Sequence, residues 1–309
     1  MEKENQSDVT HFILLGLSDN PEQSNLLSAL FLVMYLVAFA GNLAIILVII
    51  ISPQLHTPMC FFLCNLSIAD ICLTTITVPK LLFNLISGKK SISFHGCFIQ
   101  MFFFHSVGNM DSFLLALMPL DRYVAICNPM HYTTVMSWRR CTLLLAGSWV
   151  IVSLHGVLFT VMTAGLSFCR SNIIHHFFCD VPPMLKLSCS STYANEMVIF
   201  IEGSFIVMGP MILILISYIR IITDIMKIRS SQGRGKAFST CTSHLTAVTL
   251  FYSSVIFMYF RPSSSYSLEY DRTISVIYSV VTPMLNPFIY SLRNKEVKGC
   301  LRRVCSRMC

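Results

Sequence analysis

CTLLLAGSWVIVSLHGVLFTVMTAGLSFC, residues 141–169, contains no Asp, Glu, Lys or Arg, and it is bounded by Arg139 and Arg140 on one side and Arg170 on the other. A helix of about 20 apolar residues crosses about 30 Å of hydrocarbon, and in lipid a backbone can satisfy its polar groups only within a helix or a closed barrel. The stretch is long enough for one membrane-crossing helix.

The same pattern recurs along the chain. Between Glu22 and Lys80 only Asp70 is charged, and Ser52-Pro53 with Thr57-Pro58 marks a turn that divides the stretch in two. Residues 91–110, 203–219, 237–260 and 273–292 carry no charge. The spans read as 25–51, 58–80, 98–122, 141–162, 197–222, 238–260 and 272–291. Composition agrees: of 309 residues 54% are hydrophobic and only 12% charged, with mean hydropathy +0.67. A soluble domain carries about 25% charge, so a disordered chain is excluded and a water-soluble enzyme is disfavoured. The expected fold class is an all-α membrane protein. It is a seven-transmembrane helix bundle forming a single domain over 1–309, with a tail 1–24, a bundle 25–291 and a tail 292–309 that opens with a short helix.

Basic residues in short loops set orientation. One side of the membrane would hold 14 Lys and Arg, from Arg122, Arg139 and Arg140 to the cluster Arg293–Arg307, and the other side 8. The richer side is cytoplasmic, so the C-terminus lies inside and the N-terminus outside, in a multi-pass plasma-membrane protein. Asn5-Gln6-Ser7 is a glycosylation sequon on that outer tail. Residues 1–11 are polar and acidic, so no cleavable signal peptide is expected. Cys97, Cys169, Cys179 and Cys189 fall on the outer side, where disulfides persist. Four cysteines permit three pairings; one bridge must tie the loop between spans four and five to the start of span three. Cys300, Cys305 and Cys309 follow the last span among basic residues, a setting for palmitoylation and contact with anionic lipid.

Leu120-Asp121-Arg122-Tyr123-Val124-Ala125-Ile126-Cys127 closes the third span and Pro283-Met284-Leu285-Asn286-Pro287-Phe288-Ile289-Tyr290 the seventh. Together they resemble rhodopsin-like (class A) G-protein-coupled receptors. Narrower segments are His56-Thr57-Pro58-Met59, Lys236-Ala237-Phe238-Ser239-Thr240-Cys241-Thr242-Ser243-His244-Leu245, Ser217-Tyr218, His176-Phe177-Phe178-Cys179-Asp180 and Ser291-Leu292-Arg293-Asn294. Over about Phe12 to Arg303 the chain resembles the olfactory (odorant) receptors.

The resemblance implies binding of a small-molecule odorant and activation of a stimulatory heterotrimeric G protein of the olfactory type, raising cyclic AMP. It implies no catalysis and no nucleic-acid partner. It assigns the switch to Asp121, Arg122, Tyr123, Tyr218, Asn286, Pro287 and Tyr290, with Arg122 held near Asp121 at rest and turning toward Tyr218 when span six moves. It places a sodium ion between Asp70 and Asp111 as a resting-state modulator, although the second acid is usually Glu and here is the shorter Asp. The expected disulfides are Cys97 with Cys179 and Cys169 with Cys189.

Phe104, His105, Gly108, Asn109 and Ser112 share one face of span three, and Tyr252, Val255 and Tyr259 one face of span six. Ile206 and Ser279 match the family pocket. These ten residues are the expected ligand contacts, suited to an uncharged, mostly apolar molecule; Glu202 is expected at the water-filled mouth. His175, His176, Cys179 and Asp180 resemble a metal set, but a disulfide-bonded Cys179 has no thiolate to give. Pro119 replaces the usual Ala and is expected to distort span three just above Arg122. The competing readings are a non-olfactory rhodopsin-like receptor for a small uncharged ligand and a transporter. The second is disfavoured because no internal repeat is present.

Overall fold

The computed structural model describes residues 9–18, 20–169, 171–227, 230–260, 268–293 and 295–308. The sequon at Asn5 lies outside them, as do Arg170, Arg229, Arg261, Asn294 and Cys309 and the side chains of Arg234, Lys236, Arg293, Lys295, Cys305 and Arg307.

Helix ends follow the local chemistry. Helix α1, Pro21–Ile51, starts with Pro21 in its first turn, where Asn20 accepts from the Glu22 N–H at 3.0 Å. Helix α2, Pro58–Ser87, is capped by Thr57 and stopped by Gly88, whose φ of 67° is the left-handed conformation glycine adopts without penalty. Helix α3, Phe94–Cys127, is capped by Ser93, which accepts from the Gly96 N–H at 3.1 Å. Helix α4 spans Trp138–Ala164, α5 Tyr193–Met226 and α6 Ser231–Tyr259. The last crossing, α7, runs Leu268–Val276, passes through a π-helical turn at Ile277–Val281 and resumes as Thr282–Arg293. Helix α8, Lys295–Met308, follows. Six of these helices are long and apolar enough to cross a membrane, and the shorter apolar stretch His244–Tyr259 within α6 supplies a seventh. Each crossing extends past the charge-free stretch that located it at one end or both, furthest in α3, which runs on from residue 110 to Cys127, because caps rather than charges terminate helices.

The bundle is built around α3. Its most apolar window is 72% buried against 28% for α1, α4 and α5, and it packs against α2, α4, α5 and α6. Close approach of helices rests on glycine. A Cβ at Gly156 of α4 would stand 3.1 Å from the Phe102 carbonyl oxygen of α3 and clash with Ser106 Oγ; one at Gly41 would stand 3.1 Å from Pro287. Pro287 has no N–H to give the Pro283 carbonyl one turn earlier. That carbonyl accepts instead from Asn42 Nδ2 of α1 at 3.0 Å, so the family-like prolines of α7 are tied to α1. The irregularity of α7 is the π-turn Ile277–Val281, just before Pro283.

Three expectations are corrected. Residues 1–24 are not all tail: strand β1, His11–Leu14, pairs antiparallel with β2, Ser91–Ser93, and parallel with β3, Ile173–Ile174. Phe12 of β1 is fully buried against Phe94, Phe98 and Phe168. Helix α3 continues through the buried Pro119 without interruption; in a packed interior neighbouring groups can absorb a proline within a helix. Cys300 is not presented to lipid: it is 2% exposed and its Sγ accepts from Gln54 Nε2.

Candidate functional site

The disulfides arrange one end of the bundle. Cys97 at the head of α3 is bonded to Cys179, and Cys169 to Cys189, with Cα separations of 5.4 and 5.9 Å. The first draws the centre of the loop between α4 and α5 across the helix ends; the Cys179 N–H donates to Gln100 Oε1 at 3.0 Å, and the Phe178 ring packs tilted against Phe104 at 4.4 Å. The next residue, Asp180, is fully buried. Its carboxylate lies 3.1 Å from His105 Nε2 of α3 and accepts from the Tyr259 hydroxyl of α6 at 2.9 Å and from the Val181 N–H at 2.8 Å. Tyr278 of α7 stands 3.2 Å from the Tyr259 hydroxyl. One loop carboxylate therefore joins α3 to α6 and reaches α7 through Tyr259. Burial alone would raise the Asp180 carboxyl, but the hydrogen bond and charge of His105, the charge of His176 and the Tyr259 hydroxyl together hold it below the usual carboxylate value. His176, buried beside Ser275 Oγ at 3.0 Å, is pushed down to about 4 by desolvation.

Under this loop lies a cavity between α3, α4, α5, α6 and α7, lined mainly by aromatic and aliphatic side chains. Six of the ten expected contacts line it: Phe104, His105, Gly108, Asn109, Val255 and Tyr259. Four do not. Ser112 and Tyr252 bond to each other at 2.8 Å beneath the lining, the Ser279 hydroxyl turns back to the Ser275 carbonyl, and Ile206 is buried beside it. Glu202 is not simply at a wet mouth: its Oε2 is 2.5 Å from His155 Nδ1 of α4. His155, Phe159 and Tyr278 also line the cavity and escape sequence reading. The signal for His155 was present, a lone imidazole in the charge-free stretch 141–169, but nothing in sequence gave it a partner 47 residues on. Among the described residues, no three His, Cys, Asp or Glu are placed to hold a metal, and Cys179 is spent on its disulfide.

Deeper in the bundle, Asp70 accepts from Asn286 Nδ2 on both oxygens, at 3.1 and 3.0 Å. Asp111 is buried, and its Oδ1, like Asn42 Oδ1 and Asn286 Oδ1, has no hydrogen-bond partner among the described residues. At the far end, Asp121 accepts from the Tyr132 hydroxyl at 2.9 Å, a partner sequence reading missed. Arg122 is within electrostatic reach of Asp121, Tyr218, His244 and Tyr290, and the rings of Tyr218 and His244 stand 5.7 Å apart, with Tyr290 6.3 Å beyond. Tyr123 is half-buried beside this group.

A seven-helix membrane bundle with a cavity under a disulfide-tied loop, and Arg122 set among Asp121, Tyr218, His244 and Tyr290 at the opposite end, has the architecture of a heptahelical receptor. Residues 31–308 match the olfactory receptor family model. The chain is 54% identical over 304 residues to olfactory receptor 1f45 of Rattus norvegicus, covering 98% of this chain and 97% of that one. It is 54% identical over 309 residues to human olfactory receptor 1L6, covering 100% and 89%, and 53% identical over 304 residues to human olfactory receptor 1F1, covering 98% and 97%. The chain belongs to the olfactory receptor family. It is a multi-pass membrane receptor of a family that binds small odorants and couples to G proteins, and is not an enzyme.

Proposed function

We propose that the cavity beneath Asp180 binds small, mostly apolar odorants and that occupancy activates a stimulatory G protein of the olfactory type, raising cyclic AMP. The observation that carries this reading is the cavity itself: its wall is almost wholly aromatic and aliphatic, and it joins α6 to α3 above the Arg122 cluster. Ligand contact with Val255 and Tyr259 biases the position of α6, and α6 also carries His244 between Tyr218 and Tyr290. Arg122 engages the G protein when that packing opens. The N-terminus and disulfides face outside and α8 lies on the cytoplasmic side, as the basic-residue asymmetry supports. Asn5 carries glycan.

The buried oxygens of Asp70, Asp111, Asn42 and Asn286 suit a hard monovalent cation. Three of them lack a hydrogen-bond donor, and two carboxylates in one dry interior repel unless a proton or cation lies between them. Sodium held there would stabilise the resting packing.

The test is a cyclic-AMP reporter screen of the receptor, with verified surface expression, against a broad odorant panel. Agonists that act on the wild type and lose all signal in Arg122→Ala at equal surface level support the reading. A silent panel, or an Arg122→Ala receptor that still raises cyclic AMP, overturns it.

A further inference from the structure

The polar atoms of the cavity wall carry a hydrogen-bonding bias. A carboxylate only accepts hydrogen bonds. Glu202, with 29% of its side chain exposed, takes the Nδ1 proton of His155 at 2.5 Å. Asp180 takes the Nε2 proton of His105 at 3.1 Å and the hydroxyl proton of Tyr259 at 2.9 Å. With its own hydrogen committed, Tyr259 accepts that of Tyr278 at 3.2 Å. Asn109 donates from Nδ2 to the His105 carbonyl at 2.7 Å. The hydroxyl of Tyr259 and the carboxylate-paired N–H groups of His105 and His155 are therefore engaged by the protein, as is one of the two Asn109 Nδ2 hydrogens.

What faces the cavity is the opposite kind of atom. A neutral imidazole with its proton on one nitrogen presents a lone pair on the other. His155 packs at 4.3 Å against Phe159 and meets one carboxylate only, so its Nε2 is an acceptor, and no hydrogen bond occupies it among the described residues. An odorant that can only accept, such as an ether, ketone or ester, meets the His155 lone pair unmatched and finds at most the second Asn109 hydrogen. An odorant that donates would satisfy both.

We propose that this receptor selects odorants carrying a hydroxyl donor, a small alcohol or phenol with an apolar body, and that His155 Nε2, oriented by Glu202, is the acceptor that reads it. The inference rests on the cavity being the odorant site. A site built to pair a substrate hydroxyl rejects the analogue that lacks it far more strongly than an apolar pocket rejects a missing methylene.

The experiment compares matched skeletons in the cyclic-AMP assay: 1-octanol, its methyl ether and octanal; 4-propylphenol and its methyl ether; and every agonist found in the broad panel, sorted by whether it carries a hydroxyl. The expected half-maximal dose is at least about tenfold lower for the alcohol or phenol than for its ether or aldehyde. In His155→Phe, at matched surface level, that ratio collapses to within about threefold. Glu202→Gln offers Nδ1 an amide donor, allows the proton to move to Nε2, and shifts preference toward the aldehyde; it carries the test if His155→Phe fails to reach the surface. Wild-type agonists that are mainly acceptor-only, or a hydroxyl preference unchanged in the variants, overturn the donor rule and leave the odorant reading standing. A fully silent panel overturns the odorant reading, and the donor rule with it.

Discussion

Replacing Tyr259 by Phe keeps the ring that lines the cavity and removes only the oxygen that ties the loop to α6. That hydroxyl donates to Asp180 at 2.9 Å, inside a fully buried carboxylate site. Hydrogen bonds to charged groups contribute about 1.5–3 kcal/mol. Asp180 keeps His105 and the Val181 N–H, so the loss belongs near the lower end, about 1.5 kcal/mol. The bond forms only when the loop is seated over the cavity, and a ligand that needs the seated loop loses affinity as that population falls. About 1.4 kcal/mol is tenfold, so the half-maximal agonist dose should rise about tenfold. Tyr252→Phe provides the scale. It removes a neutral hydrogen bond to Ser112 at 2.8 Å, below the cavity lining, worth about 0.5–1.5 kcal/mol, and should shift the dose less. The assay is a cyclic-AMP dose curve at surface levels matched by antibody staining. A Tyr259→Phe curve within twofold of wild type, or a larger shift for Tyr252→Phe, would refute the idea that the loop carboxylate holds the cavity closed.

Acidification should destabilise the purified receptor. His176, with a folded value of about 4 against 6.5 for an unhindered imidazole, binds its proton more readily unfolded, so its contribution is complete above pH 6.5 and lost as pH falls toward 4. By linkage this amounts to about 2 kcal/mol between pH 7 and 5, and His176→Gln should flatten the fall in melting temperature over that range. Gly156→Leu should abolish surface expression, since even a Cβ there meets the Phe102 carbonyl oxygen at 3.1 Å; normal staining would count against this account of the α3–α4 crossing. Asn42→Leu strands the Pro283 carbonyl that Asn42 serves at 3.0 Å and should cost about 1–3 kcal/mol, read as a lower thermal midpoint. Pro119→Ala should leave surface level and evoked cyclic AMP unchanged, because α3 runs through the proline without interruption; a clear rise in either would show that the proline strains the helix above Arg122.

The seven crossings were legible because lipid enforces a rule that needs no tertiary information: charge-free stretches long enough to span must be helical. The end motifs around Arg122 and Pro287 placed the family for the same reason, being contiguous in sequence. The face of α3 from Phe104 to Asn109 was legible because helical periodicity gathers residues four apart. Tertiary structure alone decided the rest. Nothing local pairs His155 with Glu202, Asp180 with Tyr259, or Asn42 with the carbonyl that Pro287 frees; these partners lie 47, 79 and 241 residues apart. Their meeting depends on helix rotation and on how closely glycines such as Gly41 and Gly156 let backbones approach. The strand at Phe12 was invisible because four residues carry too little pattern to outweigh a polar tail. It exists because β2 and β3, held near the head of α3 by the Cys97–Cys179 bond, give its backbone something to pair with.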